Sequence, residues 1–189
     1  MATGTLDSSN VRVAVTGAWY KAPSDTEAPE AADESLPADW VNLGYLSEDG
    51  TTRTTDRSNE DIKAWQNGAL VRTVVTDASV SYQFTLIETT KATVELYTGA
   101  TVDEDGTYDV DPSKTGGRQS FIFDVIDGDH VVRIYIPDGE VTEVGDQTFA
   151  GGDAVGYDIT IKAYASAVID GNTERVFRPA LATAGGGGE

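Results

Sequence analysis

The chain has no cysteine, a single histidine and a single methionine among its 189 residues, and only 13 residues are basic. Without thiols there are no disulfides, no thiolate metal sites and no cysteine nucleophile. Stability must then come from packing or from neighbours, and the redox compartment leaves no mark on the sequence. With 32 acidic residues against 13 basic, the net charge of −19 excludes the basic surface that ordinary DNA binding requires. The same charge favours solubility and opposes self-association, so any assembly must overcome repulsion with geometry, apolar contact and local charge pairs. No apolar run approaches the roughly 20 residues of a membrane helix. The opening residues MATGTLDSSNVRV have neither a basic n-region nor an apolar h-region. From this we expect a protein made and kept in the cytosol, unless it leaves inside a larger particle.

What is present is the composition of a folded protein, 39% hydrophobic and 24% charged with 20 glycines. The length suits one domain with extensions, and we expect a single β domain over residues 1–184 with a flexible Gly-rich tail at 185–189. Period-2 alternation predicts strands at 11–16 (VRVAVT), 69–76 (ALVRTVVT) and 79–88 (SVSYQFTLIE), the last with Val80, Tyr82, Phe84 and Leu86 on a core face and Ser79, Ser81, Gln83 and Thr85 on a polar one. Residues 119–126 and 131–136 around Asp127-Gly128-Asp129 predict a hairpin closed by Pro137-Asp138-Gly139, and further strands follow at 140–144, 156–164 and 173–177. Residues 89–99 (TTKATVELYTG), with a capping threonine and a terminal glycine, predict the one short helix. Residues 21–39, with three prolines and six carboxylates, read as a solvated loop, after which Trp40, Leu43 and Tyr45 resume an apolar pattern that Gly50 ends. So many short strands point to a mainly β sandwich or barrel.

The stretch LPADWVNLGYLSEDGTTRTTDRSNEDIKAWQNG (36–68) departs from this economy: about twenty polar residues stand where a small domain would turn quickly, with Trp65 at the far end. A polar arm that cannot bury itself either stays disordered or docks on a partner, and an aromatic near its end supplies the desolvated contact that interfaces use. Two plainer alternatives stand beside this: Trp65 packs on its own domain, or Ser58 to Asp61 forms a capping box that starts a short helix.

Catalytic and metal-binding signatures are weak. His130 sits at the predicted hairpin turn without a nucleophile motif and reads as an exposed turn residue. DEDGTYDVD (103–111) has the carboxylate density of a calcium loop but lacks the Gly, Glu and flanking helices of an EF-hand, and reads as a solvated acidic loop. Pairs such as Asp103 with Asp105 arise by chance among so many carboxylates. Gly116-Gly117 and Gly151-Gly152 lack the helix and lysine of a phosphate cradle. We expect no cofactor and no metal.

A strand leading to NLGYLSEDG, the polar arm ending in DIKAWQNG, the run VRTVVTDASVSYQFTLIET, the short TVELYTG and a late IPDGEV follow one another in an order that resembles the major tail tube protein family of long, non-contractile-tailed bacteriophages, of the kind found in phages of actinobacteria. The resemblance covers most of residues 11–165 and lies in order and spacing. It implies two packed antiparallel sheets with one helix, six copies to a ring, and rings stacked into a hollow tube through which DNA passes without specific binding. It also implies a virion protein assembled in the host cytoplasm, with the tape measure protein and the tail terminator as partners. Residues 47–67 would be a long loop lying on neighbouring subunits, contacting them through Arg53, Asp56, Arg57, Lys63, Trp65 and Gln66. The bases among these could pair with the acidic loop 103–111 of the next copy, and Ser79, Ser81, Gln83 and Thr85 become candidates for the bore wall. Three other readings differ in kind: a β-sandwich module binding calcium or carbohydrate, a glycosidase-type enzyme, or another virion component such as a capsid decoration or tube-end protein.

Overall fold

A computed structural model describes residues 8–181, so the Gly-rich end at 185–189 lies outside the described residues. Its elements in chain order are β1 (Thr16–Pro23), β2 (Val41–Asn42), β3 (Leu46–Lys63), β4 (Leu70–Leu86), α1 (Lys91–Thr98), β5 (Gln119–Asp127), β6 (His130–Val144), β7 (Tyr157–Ala163) and β8 (Arg175–Phe177). The strands form one antiparallel sheet in the order β2-β1-β5-β6-β7-β4-β3, with β8 added to β6. The fold is therefore mainly β with one α-helix, as the sequence indicated, but as one sheet and not two.

Curling of that sheet explains why two layers were expected. Trp19 of β1 is fully buried and stacks on Phe84 of β4 with ring centroids 4.4 Å apart, while its indole N–H donates to the Thr51 hydroxyl of β3 at 3.0 Å. Strands from opposite ends of the ladder thus face each other across a shared core, where two separate sheets would do so in a sandwich. Tyr82, Phe84 and Leu86 point into this core, together with Phe121, Ile136, Ile159 and Ile161. Residues 41–46 join the two ends: Asn42 pairs with Tyr20 of β1, and Leu46 pairs with Leu86 of β4.

Helix α1 plugs one end of the curl. The Thr90 side chain caps it by accepting from the Thr93 N–H, and Gly99, at φ +69°, ends it by donating to the Glu95 carbonyl. A Cβ at Gly99 would lie 2.6 Å from the Lys114 carbonyl oxygen, so the stop signal is also a close-approach site. Val94 and Leu96 enter the core, and the buried Thr93 hydroxyl donates to the Leu43 carbonyl at 3.2 Å.

The reverse face of β1, β5 and β6 carries a second, smaller core of Ala22, Trp40, Ile122, Tyr135 and Ile169. Its cover is the stretch read as a solvated loop, which is instead a strap. Buried Arg133 makes two bonds to Asp124 at 2.8 and 2.9 Å and donates to the carbonyls of Ala31 and Glu34, so the guanidinium fork ties the strap to the sheet. The Tyr135 hydroxyl donates to the Thr26 carbonyl at 2.8 Å, and its pKa is pushed up to about 12, first by burial and then by the charges of Asp25 and Glu27.

Four expectations about strand limits change. Ladder pairing begins at Thr16, opposite Ile126, because β5 ends at Asp127; before it the Val15 N–H to the Ile126 carbonyl and the Val13 N–H to the Asp127 carboxylate tie the chain to β5, and Val11, Val13 and Val15 are exposed. Residues 69–76 and 79–88 are one strand, β4. Pro137-Asp138-Gly139 does not close the hairpin; β6 runs through it to Val144 with a bulge between the Phe121–Ile136 and Gln119–Gly139 pairs, where a proline's missing N–H is tolerated. Tyr45 continues no apolar pattern and is exposed.

Candidate assembly surface

β3 and β4 are 18 and 17 residues long, and only the root of the pair belongs to the barrel-like body. From Leu86–Tyr157 to Val80–Ala163, β4 pairs with β7 and supplies core. Beyond Val80 the strands pair only with each other, from Asp56–Ser79 to Lys63–Leu70, and project as a two-stranded ribbon about 30 Å long at the usual strand rise. Here the expected long loop is corrected to regular structure: the returning strand is rich in Val and Thr, which favour extended backbone, and the backbone of both strands finds its partners across the ribbon. The capping box at Ser58–Asp61 forms no helix; both residues lie in β3.

Local register shapes the ribbon. Thr76 is an extra residue between the Ser58–Asp77 and Asn59–Val75 pairs, and Val71 is another next to the tip. Such bulges bend a ribbon and increase its twist. At the tip the Ala69 N–H donates to the Gln66 carbonyl, and Asn67 and Gly68 both have positive φ, at 59° and 64°, as a type I′ turn demands. This turn leaves Trp65 99% exposed, which removes the alternative that it packs on its own domain. Leu70 and Val71 beside the tip, and Ile62 and Val75 farther along the ribbon, are also exposed.

At the root, Arg53 donates to the Tyr82 hydroxyl at 3.0 Å and pairs with Glu174 at 2.5 Å, and Tyr82 also bonds Glu174. Burial, then Glu174, raises the Tyr82 pKa. Arg53 thus has an acidic partner within its own chain, just ahead of β8. Among the described residues the side chains of Arg57, Lys63 and Arg72 have no ion-pair or hydrogen-bond partner, and Asp56 and Gln66 are exposed. Arg72 was missed in the sequence because it lies on the returning strand, which was not recognised as part of the arm. Residues 55–79 carry four acidic and three basic residues, against 28 acidic and ten basic in the rest of the chain.

Ser79, Ser81, Gln83 and Thr85 lie on the outer face of β4, level with Asp158, Thr160 and Lys162 of β7, and Gln83 donates to the Asp158 carboxylate at 3.1 Å. This face is polar, in contrast to the covered reverse face of β5 and β6. The acidic loop spends part of its charge on its own turns: the carboxylate of Asp105 accepts from the Thr107 N–H and that of Asp111 from Ser113, which lowers the pKa of each. No group of three or more His, Asp or Glu residues is placed to hold a metal ion among the described residues. His130 is exposed at the hairpin turn.

A curled β body that extends an exposed, aromatic-tipped ribbon defines a structural β-protein with a projecting arm. The sequence profile described as phage tail tube protein matches residues 4–174, and the chain belongs to that family, which is one of structural tail components and not of enzymes. No curated protein matches the chain in sequence. Among solved structures it is similar to the tube-terminating cap of the anti-feeding prophage, at 10% identity and TM-score 0.47, over 94% of this chain and 99% of that one. It is also similar to a chain in the tail of an empty GTA particle refined with C6 symmetry, at 9% identity and TM-score 0.38, over 84% and 93%.

Proposed function

We propose that this tail tube protein is the repeating subunit of the tube itself: six copies form a ring, rings stack head to tail, and DNA passes through the bore during ejection. The ribbon is the observation that carries the reading. A two-stranded hairpin this long gains little from its own contacts in water, and its exposed indole, exposed aliphatics and unpaired cations suit a surface supplied by another copy. Its near-neutral charge also lets it approach a neighbour that the acidic body would repel.

The bore would be lined by the polar face of β4, through Ser79, Ser81, Gln83 and Thr85, and the body's negative charge would keep the duplex from adhering as it moves. Assembly in the host cytoplasm, along a tape measure protein and up to a terminator, belongs to the same reading. Negative-stain electron microscopy with light scattering, across protein concentration and salt, tests it. Six-fold rings or tubes that increase as salt screens the charge are the expected result, and a monomer under all these conditions, even with a tail initiator complex added, would refute it.

A further inference from the structure

Two clefts mark the body. The larger, about 660 Å³, runs along the seam between residues 14–18 and 42–51. The smaller, about 270 Å³, lies between the C-terminal turn of α1, residues 110–115 and the end of β6, and its walls include Leu96, Tyr97, Val110, Pro112, Val141 and Val144. An engineered apolar cavity of about 150 Å³ admits benzene, so the smaller cleft has room for an indole.

Its position matters more than its size. On the β4–β7–β6 ladder, Val80, Ala163 and Gly139 are level at the end from which the ribbon departs. Leu86 and Tyr157, with the Val144–Ile159 pair close by, mark the other end, where Tyr97 packs on Tyr157 and its hydroxyl donates to the Gly145 carbonyl. The ribbon and the smaller cleft therefore occupy opposite ends of the ladder, and the chain cannot fold its own tip back into it. A contact between different surfaces of identical copies does not close on itself when the copies are related by translation along an axis, and it generates a filament.

Charge agrees with this placement. Glu143 lines the cleft, and Asp109 and Asp111 flank its wall residues Val110 and Pro112, with Lys114 as the one base among the lining residues. Facing them would be Arg57, Lys63 and Arg72, the ribbon's unpaired cations.

We propose that the smaller cleft is the receptor for the ribbon tip of a second copy: Trp65 enters between α1 and residues 110–115, and Lys63 and Arg72 pair with Asp111 and Glu143. This rests on the stacking reading above and names the surface that reading requires.

The absence of cysteine gives a clean background for cross-linking. Gln66→Cys combined with Thr142→Cys, both at exposed positions, is allowed to assemble and treated with an added thiol oxidant, beside a control pair of Gln66→Cys with Ala14→Cys at the seam cleft. The expected result is a reducible ladder of dimers, trimers and higher species from the first pair and none from the control. In parallel, Trp65→Ala should raise the concentration needed for association roughly thirtyfold, the factor expected of a central aromatic anchor. In the wild type, assembly should shift tryptophan emission to the blue, since Trp19 and Trp40 are already buried, and Trp65→Phe should abolish that shift. Tubes that form without the ladder, or with a ladder only from the seam pair, would overturn the cleft and leave stacking intact. A wild-type chain that never associates would overturn both.

Discussion

Trp19 and Trp65 sit at the two extremes of one molecule, the first without exposed surface and the second almost wholly exposed. Around Trp19 the strands are held by what they bury: two stacked aromatic neighbours, a hydrogen bond from the indole, and a core closed by α1. Around Trp65 the same kind of strand is held by its ladder and a two-residue turn. The body resists unfolding because its side chains have partners; the ribbon is suited to binding because its side chains do not.

The sharpest way to break this contrast is to empty the body. Trp19→Ala should cost about 4 kcal/mol, within the range for deleting a buried aromatic, and should appear as a lower denaturant midpoint. Arg133→Met should follow, at roughly 3 kcal/mol, because Asp124 is left buried without its partner and the strap loses two carbonyl contacts. Third is alkaline pH. The Tyr135 pKa is raised from 10.0 to about 12 in the fold, so this group's contribution is complete below the unfolded value and is lost as pH rises through the folded one. Melting temperature should fall between about pH 10 and 12, and Tyr135→Phe should flatten part of that fall. On the ribbon, Gly68→Val forces a β-branched residue into positive φ and should cost about 1–2 kcal/mol locally. Hydrogen exchange should speed up at ribbon amides while the body's melting temperature holds. Smallest of all, Trp65→Ala should change the stability of the unassembled chain by less than about 0.5 kcal/mol, while association weakens.

The body was largely legible in the sequence because burial writes a period. Val80, Tyr82, Phe84 and Leu86 alternate since one face of β4 is core, and Thr90 and Gly99 announced the helix through capping chemistry. The ribbon was legible only as an anomaly. With both faces exposed, nothing forces its residues to alternate, so β3 read as a loop and β4 was divided at Asp77 and Ala78, beside the Thr76 bulge. The strap failed for a related reason: its anchor, Arg133, is about a hundred residues away on β6, and no local pattern reports a guanidinium that reaches backbone carbonyls. The fork that holds Arg53 is similarly hidden, because Glu174 lies far along the chain.

That fork has a mechanical consequence. Arg53 and Tyr82 face each other across the root of the ribbon, and Glu174 fastens both to the segment leading into β8. The ribbon is thus a lever of about 30 Å with its fulcrum at a charged hinge, and a tilt of about 10° there would carry the tip sideways by about 5 Å. Such a shift approaches the width of a side chain. In the proposed stack, the angle held by that one carboxylate at the root would fix where a neighbour must stand, and any give there would be the compliance with which the stack flexes without letting go.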